Sequence, residues 1–171
     1  FPIDTAISDI IRRTNWTLAD DIIWKKKSAL PNNVSPNKLT RITENVLVFC
    51  RKDEFKTFEA NKEVTSVRPT GQKMYANYFN FIEARNNDGA NKLNKATYST
   101  DLILQLMNIY VKPDSLVYDP FSGTCTTQNA CVIYGCNYIG SELSKAQVTE
   151  GEMRINKTRE SLNGNRFKSW D

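Results

Sequence analysis

The residues best suited to chemistry lie in one short stretch, Asp119-Pro120-Phe121-Ser122-Gly123-Thr124-Cys125-Thr126-Thr127. The apolar run Ser115-Leu116-Val117-Tyr118 precedes it and a segment of helical periodicity follows, which predicts a strand, a tight turn and a helix. Such a turn presents backbone N–H groups and small hydroxyls at a helix N-terminus, an arrangement that suits a nucleotide-like ligand. A second acid, Glu142, follows roughly 20 residues further on, the spacing at which a βαβ unit delivers a carboxylate to a ribose.

Strand–turn–helix junctions with small residues are common, and a single one often serves only as a connection. Here the turn opens with an acid, a rigid residue and an aromatic, and Glu142 follows the next apolar run, so a ligand site is favoured. No Lys follows Gly123, which argues against a Walker phosphate loop. The favoured ligand is a nucleoside that carries little or no phosphate.

The same stretch resembles the Asp-Pro-Phe-x-Gly-Ser-Gly-Thr-Thr signature of amino-group DNA methyltransferases, and Gly140-Ser141-Glu142-Leu143 resembles their Gly-x-Glu-Leu motif. The resemblance implies S-adenosyl-L-methionine as the cofactor, with Glu142 on its ribose hydroxyls and Asp119 near its amino-acid moiety. The cofactor-binding residues that it implies here are Asp119, Pro120, Phe121, Gly123, Thr124, Thr126, Thr127, Glu142 and Leu143. Thr124 and Cys125 replace the usual Ser and Gly. Because Cys125 adds a Cβ, we expect the turn to avoid a positive φ there or to shift slightly.

Composition narrows the chemistry further. The chain has 171 residues, a formal net charge of +4 and no histidine, so histidine-based acid–base catalysis is excluded. Four cysteines lack the spacing of metal ligands, and we expect neither zinc nor any other metal. No apolar run is long enough for a transmembrane helix and the first residues do not resemble a signal peptide, which favours a bacterial, archaeal or viral-host cytoplasm and no membrane partner.

The first third of the chain reads as a helix over Ile3 to Thr14 and strands over Asp21 to Lys25 and Asn45 to Cys50. Ser28 to Asn37 is rich in turn formers and is too long for a tight hairpin. Lysines and arginines cluster in this part of the chain. Such a cluster is typical of a nucleic-acid-binding surface or, alternatively, of a charged face exposed to solvent.

This part also resembles the Ile-Ile-Trp-x-Lys…Met-Pro…Glu…Phe-Phe stretch of the same methyltransferases. That stretch forms a strand pair and a loop beside the target-base pocket. The resemblance and the basic cluster together assign DNA contacts to Lys26, Pro31, Lys38 and Arg41. Trp24 either packs near the pocket or is a core residue, and Glu44 is an alternative ion-pair partner for Arg41.

The middle of the chain, Lys52 to about Lys92, mixes aromatic and charged residues without a clear period. It is either the small core of an appended subdomain or, by its position in the family, the target-recognition region, and we predict the latter. Segment 94–99 resembles the family segment that holds the methionine end of the cofactor, so Tyr98 and Ser99 join the predicted cofactor site. The alternative is a simple cap for a helix whose apolar stripe includes Leu102 and Met107. A last amphipathic helix is predicted from Ser144 to about Ser161, ended by Asn163-Gly164-Asn165.

The family's catalytic Asp- or Ser-Pro-Pro-Tyr/Phe motif does not occur in these residues, and no Pro-Pro occurs at all. The order of the other motifs resembles the permuted β group, in which the catalytic motif comes first. We therefore expect no catalytic residue in this chain. The catalytic portion has been removed, lies in a second chain, or precedes Phe1 in a longer protein.

The sequence thus predicts an α/β fold, a partial Rossmann-like methyltransferase sheet with an antiparallel hairpin and a small irregular recognition region. We assign residues 1–52 to the base-pocket side, 53–93 to target recognition and 94–171 to cofactor binding. The expected function is methyl transfer from S-adenosyl-L-methionine to double-stranded DNA, first to N6 of adenine and second to N4 of cytosine, with this chain inactive alone. The alternative is a non-catalytic cofactor- or DNA-binding subunit that supports a partner chain. The sequence is also compatible with a dimer.

Overall fold

The computed structural model describes residues 3–89, 93–94 and 97–167. The chain divides into two compact units, Phe1–Ala84 and Arg85–Asp171, each with its own elements. Over the described ranges, no helix combines the length and the apolar character needed to cross a membrane.

The first unit is built on two long strands. Helix α1 (Ile3–Arg12) leads into β1 (Trp16–Lys26), which pairs antiparallel with β2 (Thr43–Arg51) and has an irregularity between Leu18 and Asp20. Both predicted strands are confirmed and are longer than expected. The segment between them contains no regular element, as its turn formers predicted.

Three short strands occupy the middle region. Strands β3 (Val64–Val67) and β4 (Lys73–Tyr75) form an antiparallel hairpin, and β5 (Phe81–Ala84) pairs parallel with β1. The sheet order is therefore β2-β1-β5. The sequence did not predict these three strands, because each is too short to show a clear period-2 alternation.

The core of the first unit follows from the alternation of side chains along β1. Ile22 and Trp24 are buried while Ile23 between them is 40% exposed, as expected for successive residues of a strand. The indole N–H of Trp24 donates to the carbonyl of Ala84 at 3.3 Å. Trp24 is thus a core residue of the sheet, which was one of its two predicted roles.

The second unit contains a βαβ arrangement preceded and followed by a helix. Its elements are α2 (Thr100–Tyr110), β6 (Leu116–Asp119), α3 (Thr126–Tyr134), β7 (Asn137–Gly140) and α4 (Lys145–Phe167). Strands β6 and β7 are parallel, and α3 connects them. The buried core holds Met107, Ala130 and Cys131.

Helix boundaries in this unit agree with the sequence except at the C-terminus. Ser99 caps α2 as predicted, and its Oγ accepts from the backbone N–H of Leu102 at 3.2 Å. Gly135 ends α3 in the left-handed conformation at φ 87°. The predicted stop at residues 163–165 is wrong, because α4 continues to Phe167. An isolated Gly inside a helix costs only about 1 kcal/mol relative to Ala, so Gly164 does not force an end.

Candidate cofactor site

The candidate site lies at the carboxyl ends of the two parallel strands of the second unit. Asp119 ends β6 and is in register with Gly140, which ends β7. The backbone pairing extends beyond both strands, since Ser141 N donates to Asp119 O at 3.0 Å and Ser122 N donates to Ser141 O at 2.9 Å. This is the edge at which α/β sheets bind ligands. The predicted strand–turn–helix is confirmed here.

Asp119 is buried, at 9% exposure, and its carboxylate organises the turn. Oδ1 accepts from the backbone N–H of Phe121 at 3.0 Å, and Oδ2 accepts from the Tyr98 hydroxyl at 3.2 Å. That hydroxyl also lies 2.8 Å from Thr127 Oγ1. Burial raises the pKa of the Tyr98 phenol, and the negative charge of Asp119 raises it further.

Glu142 lies two residues beyond β7, and its carboxylate holds two backbone segments. Oε2 accepts from the N–H of Gly123 at 2.9 Å, and Oε1 accepts from the N–H of Ser144 at 2.8 Å. Each carboxylate oxygen has a second lone pair, so two further donors fit on the same group. The predicted ribose acid is therefore joined directly to the predicted cofactor turn.

Two residues of the turn adopt left-handed backbone conformations. Gly123 has φ 51°, which strains any other residue, and a Cβ there would lie 2.7 Å from Nδ2 of Asn94, so the Asn94 side chain would have to move. Cys125 has φ 58° and ψ 41° at the N-cap of α3, where its side chain makes no capping hydrogen bond. Of the two expected outcomes, a turn that avoids a positive φ at Cys125 or one that shifts slightly, the first is wrong: the backbone keeps the conformation that Gly would favour, at a steric cost of roughly 1–2 kcal/mol.

The remaining predicted cofactor residues fall into two groups. Thr124, Thr126 and Thr127 are buried, between 1% and 9% exposed. Pro120, Phe121 and Leu143 are exposed at the surface of the turn and beyond β7. Phe121 and Leu143 are 87% and 104% exposed, and both apolar side chains are available to a ligand.

Ser99 and Tyr98 differ in what the structure assigns to them. Ser99 is fully buried and serves as the helix cap, the alternative that its sequence allowed. Tyr98 contacts Asp119 and Thr127 and so belongs to the site. Residues 95 and 96 of the matched segment lie outside the described residues.

Several polar residues near the turn were not predicted from the sequence. The Gln128 amide donates to Ser122 Oγ at 2.9 Å, and Ser122 Oγ donates to the Asp119 carbonyl at 3.1 Å. Within the described part of the chain, the side-chain carbonyls of Gln128 and Gln147 are buried without a hydrogen-bond partner. A Cβ on Gly123 would lie 3.4 Å from Gln147 Oε1, so this acceptor faces the turn. Neither glutamine belongs to a motif, so no sequence signal marked them.

The residues predicted to contact DNA lie in the first unit. Lys26 forms an ion pair with Glu44, and its ammonium lies 5.4 Å from the centre of the Trp24 ring. Glu44 therefore pairs with Lys26 where Arg41 was the predicted alternative. Pro31, Lys38 and Arg41 are exposed in the segment between β1 and β2. Asn32 fixes this segment by donating from its backbone to Thr40 Oγ1 at 3.0 Å and from its side chain to the Lys38 carbonyl at 3.1 Å.

Comparison with known proteins assigns the chain to the family that the sequence of the turn predicted. The N6_N4_Mtase family, described as DNA methylase, matches residues 3–153. The chain belongs to this family. The resemblance to amino-group DNA methyltransferases and the predicted α/β fold class are thereby confirmed. S-adenosylmethionine is also confirmed as the cofactor of the family.

Individual relatives are distant. The chain is 22% identical over 160 residues to the type II methyltransferase M.HinfI of Haemophilus influenzae, covering 92% of this chain and 44% of that protein. The solved M1.HpyAVI-SAM complex matches with a TM-score of 0.63 at 22% identity, covering 90% of this chain and 70% of that one. The cytosine-N4-specific PvuII DNA methyltransferase matches with a TM-score of 0.66 at 18% identity, covering 94% of this chain and 61% of that one. The chain thus spans less than half the length of M.HinfI.

Proposed function

We propose that this chain carries the S-adenosylmethionine-binding part of a DNA amino-methyltransferase. The observation that supports this most strongly is the pair of carboxylates at the ends of adjacent parallel strands. Asp119 and Glu142 flank the N-terminus of α3, and Glu142 accepts a hydrogen bond from Gly123 in the turn between them. Carboxylates at these positions suit a cationic nucleoside and disfavour a polyphosphate.

The residues of the turn fit the cofactor in chemical type. Glu142 has free lone pairs for the two ribose hydroxyls, and we assign Asp119 with its neighbouring backbone to the amino-acid moiety. Phe121 and Leu143 offer exposed apolar surface to the adenine and the methionine chain. Gly123 gives the turn its left-handed conformation and donates its N–H to Glu142, while Thr124, Thr126 and Thr127 supply hydroxyls and N–H donors. When bound, the cofactor supplies an electrophilic methyl group on a sulfonium.

The acceptor we propose is double-stranded DNA, at the exocyclic amine of adenine or, second, of cytosine. Lys38 and Arg41 are exposed basic residues in the segment between β1 and β2, and with Lys26 and Pro31 they form the proposed DNA contact. Phosphate contacts of this kind position the duplex without reading its sequence. Residues 53–93, which hold the β3–β4 hairpin, are the proposed target-recognition region.

Methyl transfer also needs a group that accepts hydrogen bonds from the amino nitrogen and an aromatic surface for the flipped base. The family motif that does this is not among the 171 residues. We therefore propose that this chain is inactive alone and that the motif is supplied by a further segment or a second chain. The second candidate function, a non-catalytic subunit that binds cofactor or DNA for a partner, is favoured by the same observation.

Transfer of a labelled methyl group separates the two candidates. The gene product that contains this chain is incubated with tritiated S-adenosylmethionine and unmethylated double-stranded DNA, with Glu142→Ala as the disabled variant. If the protein is a methyltransferase, digestion of the DNA should yield label in N6-methyladenine or N4-methylcytosine, and the variant should give little label. Label in DNA that does not depend on Glu142 contradicts the proposed site, and no label at all favours the subunit.

A further inference from the structure

A cluster of polar side chains connects four segments of the second unit. Asp88, Thr100 of α2, Thr126 of α3 and Arg154 of α4 form this group, which we call the Arg154 clamp. The Arg154 guanidinium donates to Thr126 Oγ1 at 3.1 Å and to Thr100 Oγ1 at 2.7 Å, and it forms an ion pair with Asp88. A single side chain thus bridges the first residues of two helices.

Asp88 completes the clamp from the other side. Its carboxylate accepts from the backbone N–H of Thr100 at 3.0 and 2.9 Å and from the Thr100 hydroxyl. The side chains of Arg154 and Asp88 are only 27% and 26% exposed, so their charges are partly shielded from water. A cation at the N-termini of two helices is opposed by their dipoles, and the Asp88 carboxylate offsets this at α2. Arg154 is therefore held there by its hydrogen bonds and by Asp88, not by the helix dipoles.

The two hydroxyls that Arg154 holds are next to the residues of the candidate site. Thr126 follows Cys125, the N-cap that provides no side-chain hydrogen bond, and precedes Thr127. Thr100 lies two residues after Tyr98. Tyr98 in turn lies 2.8 Å from Thr127 Oγ1 and donates to Asp119 at 3.2 Å. The clamp and the Tyr98 contacts, joined through the backbone segments 98–100 and 126–127, close a ring that includes the start of α3.

We propose that Arg154 is a positioning residue for the cofactor turn, acting through Thr126 and Thr100 and held by Asp88. By fixing the starts of α2 and α3 against each other, it sets the places of Tyr98, Asp119 and Thr127 before the cofactor binds. Preorganisation of this kind raises affinity because the groups need not be ordered on binding. The inference rests on the proposed function, since it takes the turn to be the cofactor site.

The test uses the 171-residue chain and three variants. Arg154→Met removes the donors and keeps the apolar stem, Thr126→Val removes one acceptor at nearly constant shape, and the third variant combines both. Arg159→Met is the matched control, because Arg159 lies on the same helix and donates to Tyr138 away from the turn, at 3.0 Å. Affinity for S-adenosylmethionine is measured by calorimetry. Exchange of the amide hydrogens of Gly123 and Cys125 in the turn and of Asn129 in the first turn of α3, all hydrogen-bonded, is measured without ligand.

We expect Arg154→Met to weaken binding by about tenfold, because the turn must then be ordered when the cofactor binds, and to speed exchange at those three amides. Thr126→Val should reproduce a large part of both effects, and the double variant should add little, because the two residues act together. Equal affinity for Arg154→Met and Arg159→Met, or exchange that accelerates uniformly over α2 and α4, would show a merely structural role and overturn the proposal. Should Arg154→Met fail to fold, amide exchange in Thr126→Val without ligand decides alone, because Thr126 is itself a proposed cofactor residue and its affinity loss has two sources.

Failure of the proposed function gives a different result. If the unaltered chain binds no S-adenosylmethionine, the cofactor assignment is wrong, and the exchange experiment alone then decides whether Arg154 positions the turn. Selective acceleration at Gly123, Cys125 and Asn129 would sustain that role, and unchanged exchange would end it.

Discussion

Gly151 of α4 faces Cys125 of the cofactor turn so closely that a side chain at residue 151 has no room. A Cβ there would lie 2.3 Å from Sγ and 2.8 Å from Cβ of Cys125, and 3.1 Å from the carbonyl carbon of Thr124. Rotation of the thiol removes only the first of these overlaps. The extra atoms of Cys125, where the family usually has Gly, are thus matched by the missing side chain of Gly151.

Because of this contact, replacement of Gly151 by Ala should destabilise the protein, although Gly→Ala usually stabilises a helix. Gly→Ala inside a helix ordinarily stabilises by roughly 0.5–1 kcal/mol. Gly151→Ala should instead lower the free energy of unfolding by about 1–3 kcal/mol, the usual cost of overpacking. In a Cys125→Gly background the same change should cost much less or become favourable, because both Cys125 overlaps disappear. Urea denaturation of the four proteins checks this, and equal effects in both backgrounds would contradict the contact.

How far the sequence predicts this molecule depends on how local each feature is. The strand–turn–helix at Asp119 and the cap at Ser99 are set by neighbouring residues, and both were predicted. The three strands of the middle region were not, since β5 is stabilised by pairing with β1, which is distant in sequence.

The difference between local and distant contacts also explains which residues of the candidate site could be predicted. Motifs marked Asp119 and Glu142, whereas Gln147 and Arg154 come to the turn only through the packing of α4. Cys125 shows a further limit: steric preference predicted a turn without a positive φ or with a slight shift, but Cys125 is left-handed, with its N–H bonded to Ser122 and its carbonyl to Asn129. Tertiary structure there outweighs a local preference of roughly 1–2 kcal/mol.

The free energy of unfolding should depend on pH in the alkaline range because of Tyr98. Its folded-state pKa is raised above the ordinary 10.0, first by burial and then by Asp119. The protonated phenol is therefore favoured by folding, so its contribution is complete below about pH 10 and is lost as the pH rises further. Tyr98→Phe should cost about 1–3 kcal/mol at pH 7, because Asp119 and Thr127 lose a partner.

The difference between wild type and Tyr98→Phe should then narrow above pH 10. Urea denaturation at several values between pH 7 and pH 11 measures it. A difference that stays constant or widens with pH would show that the phenol is not held in its protonated form.

The thiols of the chain should react unequally. Cys50, Cys125 and Cys131 are buried, while Cys136 is partly exposed. Burial, and next the contact with Cys136, raises the pKa of the Cys131 thiol to about 12, so its reactive thiolate is scarce near neutral pH. With an aromatic disulfide reagent at pH 8 we expect fast modification of Cys136, loss of that phase in Cys136→Ser, and slow reaction elsewhere. Fast modification of Cys131 in the folded protein would contradict its burial.

DNA binding should depend on the exposed basic residues between β1 and β2. Replacement of Lys38 or Arg41 by Ala in the gene product that contains this chain should weaken binding equally for all sequences. Each change should lower the slope of log affinity against log salt by about 1, since one phosphate contact is lost. Lys112→Ala, in the second unit, is the control of equal charge. Slopes that match the control would remove this segment from the DNA contact.

Glu142 is the proposed partner of the ribose hydroxyls of S-adenosylmethionine, and calorimetric titration of the 171-residue chain measures that contact. Glu142→Ala should weaken the affinity by roughly 1.5–3 kcal/mol, the cost of a lost charge-assisted contact, while Glu160→Ala on α4 should leave it unchanged. S-adenosylhomocysteine should bind the unaltered chain more tightly than its 2′-deoxy analogue, and this preference should vanish in Glu142→Ala. Equal affinity of the Glu142→Ala variant and the unaltered chain, or a 2′-hydroxyl preference that survives the substitution, would contradict the assignment.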